Sequence, residues 1–205
     1  MAVDTLHEFF TATSDDPERT WPYKMDRSKG YEENRLVTGI KLCNLRIYEQ
    51  AQRNAKQRGM GTTLAALFAV EDGIYVAHVG DSRVYRIREG NIEQLTEDHS
   101  LLNDYKKMKH LTPEEIANFP HKNVIVRALG MKDTVKVDTR FEVPRADDIV
   151  LLCSDGLSGP VSDDHILSIV DTSTDLRSAA RRLVEKANEN GGPDNITCVL
   201  ARWIA

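Results

Sequence analysis

The hydrophobic pattern changes its period near residue 60, and this change restricts the folds open to the chain more than any other feature. At residues 33–56, apolar side chains recur at three- and four-residue steps, which predicts a long amphipathic helix with one buried face. The next part of the chain contains short β-rich runs at residues 62–70, 74–79, 84–87 and 92–95. Tight turns separate these runs, which predicts an antiparallel meander rather than parallel strands joined by helices.

Shorter elements flank this region. An apolar stripe at residues 3–10 predicts that the chain begins in a helix, and polar residues 14–30 predict a loop. Residues 101–122 are polar and irregular apart from a short helix opened by a capping box at 112–115. Further runs predict strands at 123–128, 133–143, 148–153 and 195–203, and helices at 162–170, with Ser162 as the cap, and at 176–187. We therefore predict an α+β fold, a four-layer α-β-β-α sandwich of two mostly antiparallel sheets flanked by helices.

Length and charge exclude several classes of protein. The 205 residues fit one domain, which we place at residues 1–205. No apolar run approaches the ~20 residues that a membrane span needs, and the first ten residues lack the pattern of a signal peptide. The net charge of −5 argues against a general nucleic-acid binder. The three cysteines, Cys43, Cys153 and Cys198, have no CxxC spacing, which predicts free thiols and a cytoplasmic protein. From the charge and the apolar runs, we expect no nucleic-acid or membrane partner.

Three aspartates stand where a hydrophobic strand meets a glycine-containing turn. Asp155 follows the run 149–153, Asp194 precedes the run 196–201, and Asp81 follows the run 74–79. Strand ends are rigid mounts, and carboxylates fixed in this way suit hard divalent cations, which prefer oxygen ligands. An Asp-Gly pair is also a common β-turn, so either Asp155 or Asp194 alone would be explained by a turn. The three together favour a metal site.

Six segments that occur in a fixed order connect this pattern with a known protein family. They are GMGTT at 59–63, VGDSRVY at 79–85, TEDHS at 96–100, VIVRALG at 124–130, DDIVLLCSDGL at 147–157 and GGPDNIT at 191–197. In order and spacing they resemble the Mg/Mn-dependent serine/threonine protein phosphatases of the PPM type, also called type 2C. The resemblance covers nearly the whole chain.

The resemblance implies an enzyme that hydrolyses phosphoprotein esters with a metal-activated water. It implies that Asp155 and Asp194 ligate one ion of a catalytic Mg²⁺ or Mn²⁺ pair, and that Asp81 and Asp155 hold a third ion. Gly156 and Asn195 would support these ligands. A zinc site is not expected, because the segments offer no set of thiolates and imidazoles.

The resemblance also implies site residues that this sequence does not contain. The chain corresponds to a phosphatase domain that is incomplete at its N-terminus, and the positions of the phosphate-gripping arginine, the bridging aspartate and the general-acid histidine have no counterpart. We therefore assign no catalytic side chain and expect weak activity or none from the chain alone. A non-catalytic phosphatase-like interaction module is the alternative. Sheet edges left open by absent strands would favour a homodimer or a strand-exchanged oligomer.

The remaining histidines are expected to be structural. Residues 101–122 lie where the family carries a variable flap that shapes substrate access, and in this segment His110 and His121 are expected to be surface residues rather than ligands. His99, in the TEDHS segment, is expected to have a structural role.

Overall fold

The computed structural model describes residues 1–16, 19–109, 111–120 and 124–204. Two helices come first, α1 (Ala2–Asp15) and α2 (Tyr31–Arg53), and a 3₁₀ turn (Ala55–Gln57) follows them. The middle of the chain forms β1 (Leu64–Val70), β2 (Gly73–Val79), β3 (Arg83–Arg88), β4 (Asn91–Gln94), α3 (Leu101–Met108) and α4 (Pro113–Ala117). The last part forms β5 (Asp138–Glu142), β6 (Ile149–Cys153), α5 (Asp155–Ser158), α6 (Asp163–Asp171), α7 (Leu176–Glu189) and β7 (Cys198–Arg202).

The strands form two antiparallel sheets. One has the order β1-β2-β5 and the other the order β4-β3-β6-β7. Ile74, Val76, Val84 and Val150 are buried between the sheets, because alternate residues of β2, β3 and β6 point toward the opposite sheet.

Helices cover the outer faces of both sheets. Ile40 and Ile47 of α2 pack against Ala77 and Val79 on the outer face of β2, and α1 packs on the same cluster. On the other side, Leu183 of α7 belongs to the cluster that covers the outer face of β3 and β6, together with residues of α6. The four-layer α-β-β-α prediction is therefore confirmed. The helix predicted at residues 33–56 is α2, which ends at Arg53.

The predicted meander of four strands is wrong in its pairing. The first two runs form one hairpin, β1-β2, and the next two form another, β3-β4, but the hairpins belong to different sheets. Both sides of β2 are hydrogen-bonded, by β1 and by β5, so β3 cannot pair with it. The turn at Gly80–Ser82 instead carries the chain from one sheet to the other, with Gly80 at φ +111°.

The predictions for residues 101–143 need correction. Residues 101–108, predicted as irregular, form α3, capped by the Ser100 hydroxyl, which accepts from the Asn103 amide. The capping box of Thr112 and Glu115 is confirmed. Residues 124–128 do not form a strand, because the Leu101 and Val126 amides tie this segment to the loop around Ser100 instead of to a sheet. Only residues 138–142 of the predicted strand 133–143 are in a sheet.

The remaining predictions concern the cap of α6, two histidines and membrane spans. Ser162 precedes α6, but its hydroxyl bonds to His165 rather than to the helix backbone. His110 and His121 lie outside the described residues, so their predicted role stays a prediction. Among the described residues, no helix is long and apolar enough to cross a membrane.

Candidate active site

The strand register brings Asp81 and Asp155 to the same edge of the four-stranded sheet. β3 runs antiparallel to β6, and Arg83 of β3 is paired with Cys153 of β6. Asp81 lies two residues before Arg83, and Asp155 lies two residues after Cys153. Antiparallel pairing therefore places the two aspartates beside each other, although they are far apart in sequence. Burial and, after it, the negative charge of Asp155 raise the pKa of the Asp81 carboxyl group.

The loop that carries Asp194 is fastened to the turn that carries Asp155. The Ser154 hydroxyl donates to the Asn195 carbonyl at 3.0 Å and accepts from the Thr197 amide at 3.0 Å. A Cβ at Gly156 would overlap the Asn195 carbonyl, so only glycine permits this approach. Gly156 and the Asn195 backbone are therefore in direct contact. Asp194 itself is exposed, and its carboxylate accepts from the Asn195 amide at 2.6 Å.

Asp81 and Asp155 line an open cleft of about 260 Å³ at this sheet edge. Burial, followed by repulsion from Asp155, raises the pKa of Asp81. Two carboxylates with unbalanced negative charge in a cleft form a donor set that fits a divalent cation. The ligand oxygens of Asp81, Asp155 and Asp194 are not gathered within 4.8 Å of one another in the described structure. An ion that keeps several of its waters, as Mg²⁺ does, needs no such tight cage.

A third carboxylate of the cleft is already neutralised. The Arg83 guanidinium holds Asp98 in a two-point contact, with Nε–Oδ1 at 2.9 Å and Nη2–Oδ2 at 2.7 Å. Arg83 also donates to the Tyr85 hydroxyl at 2.9 Å. Burial raises the pKa of the Tyr85 hydroxyl, and the opposing effect of the nearby Arg83 charge only partly offsets it. Lys106 of α3 also lines the cleft and is exposed. The spacing of Arg83 and Asp98 in the sequence does not mark them as a pair, and the charged residues of VGDSRVY and TEDHS are the signal that could have suggested it.

A second polar cluster lies behind the Gly80 turn. The ligand atoms of His78, His99 and Asp138 lie within 4.8 Å of one another, the arrangement that a metal could use. These atoms are already engaged, however. His99 Nδ1 accepts from the Gly80 amide at 3.0 Å, and Asp138 contacts Arg127 at 3.1 Å.

This second cluster is balanced in charge without a metal. Burial lowers the pKa of His99, which keeps the ring neutral. Burial alone would raise the pKa of Asp138, but hydrogen bonds from His99 and Arg127 outweigh it and lower the pKa to about 2. His99 is buried and hydrogen-bonded on both ring nitrogens, as its expected structural role requires.

Comparisons with known proteins agree with the fold and the motifs. The family model described as Protein phosphatase 2C matches residues 1–204. The serine/threonine phosphatase Stp of Listeria welshimeri is 40% identical over 169 residues, which are 82% of this chain and 67% of that protein. Protein phosphatase PhpP of Streptococcus pneumoniae is 40% identical over 161 residues, which are 78% of this chain and 65% of that protein. The chain thus spans about two thirds of the length of these relatives.

Solved structures give the same result. The crystal structure of the serine/threonine phosphatase PstP of Mycobacterium tuberculosis has a TM-score of 0.83 and 32% identity, covering 100% of this chain and 82% of that one. A structure of the PstP catalytic domain in complex with 2 manganese ions has a TM-score of 0.77 and 32% identity, with 100% and 81% coverage. The two-sheet architecture, the ordered motifs and the family model agree, and the chain belongs to the protein phosphatase 2C family.

Proposed function

We propose that this chain provides the main part of a Mg²⁺- or Mn²⁺-dependent serine/threonine protein phosphatase, with phosphoproteins as substrates. The observation that carries the proposal is the register of β3 and β6, which sets Asp81 beside Asp155 at one sheet edge while the Asp194 loop is fastened next to them. Relatives that are named serine/threonine phosphatases support it, as does the PstP catalytic domain that holds 2 manganese ions.

Each carboxylate has a proposed role. Asp155 and Asp194 would hold an ion of the catalytic pair, and Asp81 with Asp155 would hold a further ion. Bound ions supply an activated water for in-line attack on phosphorus and offset charge on the phosphoryl oxygens. Gly156 and Asn195 keep the segments that carry Asp155 and Asp194 in contact.

We propose that residues 1–205 form one phosphatase domain. We also propose that this chain alone is a weak catalyst. Arg83 is the one arginine that lines the cleft among the described residues, and Asp98 and Tyr85 already occupy its guanidinium. The described cleft therefore offers no free guanidinium to grip a phosphate, a task for which arginine is well suited. An interaction module without activity remains the alternative if no turnover is measured.

Turnover of p-nitrophenyl phosphate with added Mn²⁺ tests this proposal. Asp155→Ala should lower the rate by roughly 100-fold or more, because the ion then loses a shared ligand. Asp171→Ala is the matched control, because Asp171 is an exposed aspartate at the end of α6, outside the residues that line the cleft. Equal rates in the wild type and Asp155→Ala would contradict the proposed site. No rate in any variant, with Mn²⁺ binding retained, would favour the interaction module.

We also propose that the chain pairs with a second copy through β1. This edge strand, Leu64–Val70, carries no charged residue, whereas the opposite edge, β5, carries Asp138, Arg140 and Glu142. Uncharged edges are the ones that pair with other strands. A lysine in place of the exposed Ala69 should shift a dimer to monomer in light scattering, while Val143→Lys, beside β5, should not. A wild-type monomer at all concentrations would contradict this pairing.

A cytoplasmic location is proposed from the thiols. Cys43, Cys153 and Cys198 are free. Burial raises the pKa of Cys43 to about 11 and that of Cys153 to about 12, so both stay protonated and unreactive. Free, unpaired thiols are typical of a reducing compartment. Fractionation of cells that express the protein tests the location, and recovery in the secreted fraction would contradict it.

A further inference from the structure

His99 holds the peptide that immediately precedes Asp81. Its backbone amide donates to the Gly80 carbonyl at 2.9 Å, and its ring Nδ1 accepts from the Gly80 amide at 3.0 Å. One residue therefore occupies both polar groups of Gly80. Because Gly80 sits at φ +111° where the chain passes from β2 to β3, these two bonds fix the direction in which the chain enters Asp81.

The far side of the His99 ring is fixed as well. Since Nδ1 accepts a hydrogen bond from Gly80, the neutral ring carries its proton on Nε2 and donates it to Asp138 at 3.0 Å. Arg127 Nη1 lies 3.1 Å from the same carboxylate and 2.8 Å from Nε2, and the shared carboxylate keeps these two donors together. Lys136 contacts the other oxygen of Asp138 at 3.5 Å.

The opposite side of the turn is equally restricted. Thr63 of the GMGTT segment bonds through its hydroxyl to the Ser82 hydroxyl at 2.8 Å. A Cβ added at Gly80 would overlap the side chain of Thr63. The turn therefore lies between Thr63 and His99, and Asp81 projects from a frame that is fastened on both sides. Such a frame matters because Asp81 and Asp155 repel each other without a cation.

We propose that His99 is a positioning residue for divalent-cation binding at Asp81. Through Nδ1 it fixes the Gly80 peptide, and through Asp138 it keeps the ring in the orientation that this bond needs. This inference rests on the proposed function, because it assumes that Asp81 takes part in cation binding. Outer groups that orient ligands in this way commonly change metal affinity by about 10- to 100-fold when they are replaced.

Two substitutions separate the contacts of His99. In His99→Asn the amide oxygen can take the place of Nδ1, so the bond from Gly80 is kept and the contact with Asp138 is lost. In His99→Gln the amide reaches the place of Nε2, so Asp138 is kept and the Gly80 bond is lost. Both variants lose the ring that stacks on His78 at 4.5 Å, so they serve as controls for each other.

Mn²⁺ binding to the full chain, followed by the EPR signal of free Mn²⁺, is the measurement. We expect His99→Asn to bind Mn²⁺ within about 3-fold of the wild type and His99→Gln to bind it about 10-fold more weakly or worse. If His99 had only a structural role, the Mn²⁺ affinity of the two variants would instead vary with their thermal stability. That result would overturn the inference. If His99→Gln does not fold, Asp138→Asn takes its place, and a Mn²⁺ affinity equal to that of the wild type would overturn the inference.

Asp81→Asn distinguishes failure of this inference from failure of the proposed function. If Asp81→Asn weakens Mn²⁺ binding but the two His99 variants bind equally, only the role of His99 is overturned. If the wild type binds no Mn²⁺, or Asp81→Asn binds as the wild type does, the proposed site and the inference both fail.

Discussion

Two carboxylate clusters lie on either side of the Gly80 turn, and they differ in how their charge is balanced. Asp138 is surrounded by His99, Arg127 and Lys136, and its pKa falls to about 2. Asp81 faces another aspartate, and its pKa is raised. Both are partly buried. A carboxylate that the protein itself neutralises serves the fold, whereas one left beside a like charge is suited to an ion from outside.

The His99 network links the two clusters. Its cationic side chains neutralise Asp138, while its imidazole contacts the backbone beside Asp81. The neutral, balanced cluster can therefore act as a rigid support for the unbalanced one. We expect substitutions in the two clusters to have opposite effects on the stability of the metal-free protein.

The largest effect on stability and on Mn²⁺ binding should come from a side chain added where the Asp155 and Asp194 segments touch. Gly156→Ala puts a Cβ into the Asn195 carbonyl, so one of the two turns must move. We expect a loss of roughly 2–3 kcal/mol in the free energy of unfolding, the usual cost of overpacking, together with weaker Mn²⁺ binding. Urea unfolding measures the first and calorimetry the second.

Gly90→Ala is the control for Gly156→Ala. Gly90 has no neighbour within 4 Å of an added Cβ, and its φ of +71° by itself disfavours alanine. It should lower stability without changing Mn²⁺ binding. Equal Mn²⁺ affinity in Gly156→Ala and the wild type would show that contact between the two turns is not needed for the site.

The next effect is the loss of charge in the balanced cluster. Asp138→Asn removes the carboxylate shared by His99 and Arg127 and leaves Arg127 beside a ring donor. We expect a loss of about 1–2 kcal/mol, the scale of a hydrogen bond to a charged group, less what solvent screening removes. Thermal unfolding in the absence of metal is the measurement. An unchanged melting temperature would mean that the cluster does not support the fold.

The same substitution in the unbalanced cluster should act in the opposite direction. Asp81→Asn removes the repulsion with Asp155, so the metal-free protein should gain a few tenths of a kcal/mol, a small value because the cleft is open to solvent. In saturating Mn²⁺ the order should reverse, because the wild type gains binding free energy that the variant lacks. Destabilisation of the metal-free protein by Asp81→Asn would break the contrast between the two clusters.

The sequence predicted those features that depend on local pattern. The stripe of α2, the β1-β2 and β3-β4 hairpins and the bends at Asp81 and Asp194 follow from periodicity and turn residues within short windows. Asp155, predicted in a turn, instead begins the short helix α5. The family resemblance then supplied the ion roles that we propose for the three aspartates. α3 was missed because its polar residues hide a helix whose main signal is the Ser100 cap.

The remaining features depend on contacts between distant segments. The turn at Gly80–Ser82 has the composition of a hairpin turn, and only the pairing of β2 with β1 and β5 forces the chain into the other sheet. Likewise, Arg127 and Asp138 have no spacing that marks them as a pair, because β5 and the loop before it meet His99 only after the sandwich has formed. Charge balance in a cluster is therefore a property of the tertiary structure.

The smallest predicted effect is the pH dependence of stability, and it separates the two clusters by sign. Asp138 has a lowered pKa, so its contribution is present above the unfolded value near 3.8 and is lost as pH falls toward about 2. Asp81 has a raised pKa, so its contribution to stability is fully present at low pH and is lost as the pH rises above 3.8. In metal-free buffer between pH 3 and 6, the unfolding free energy of Asp81→Asn should therefore rise more steeply with pH than that of the wild type, and below pH 4 that of Asp138→Asn should rise less steeply. Parallel pH profiles for both variants and the wild type would contradict the assignment of opposite shifts, because each slope reports the difference in bound protons between the folded and unfolded chain.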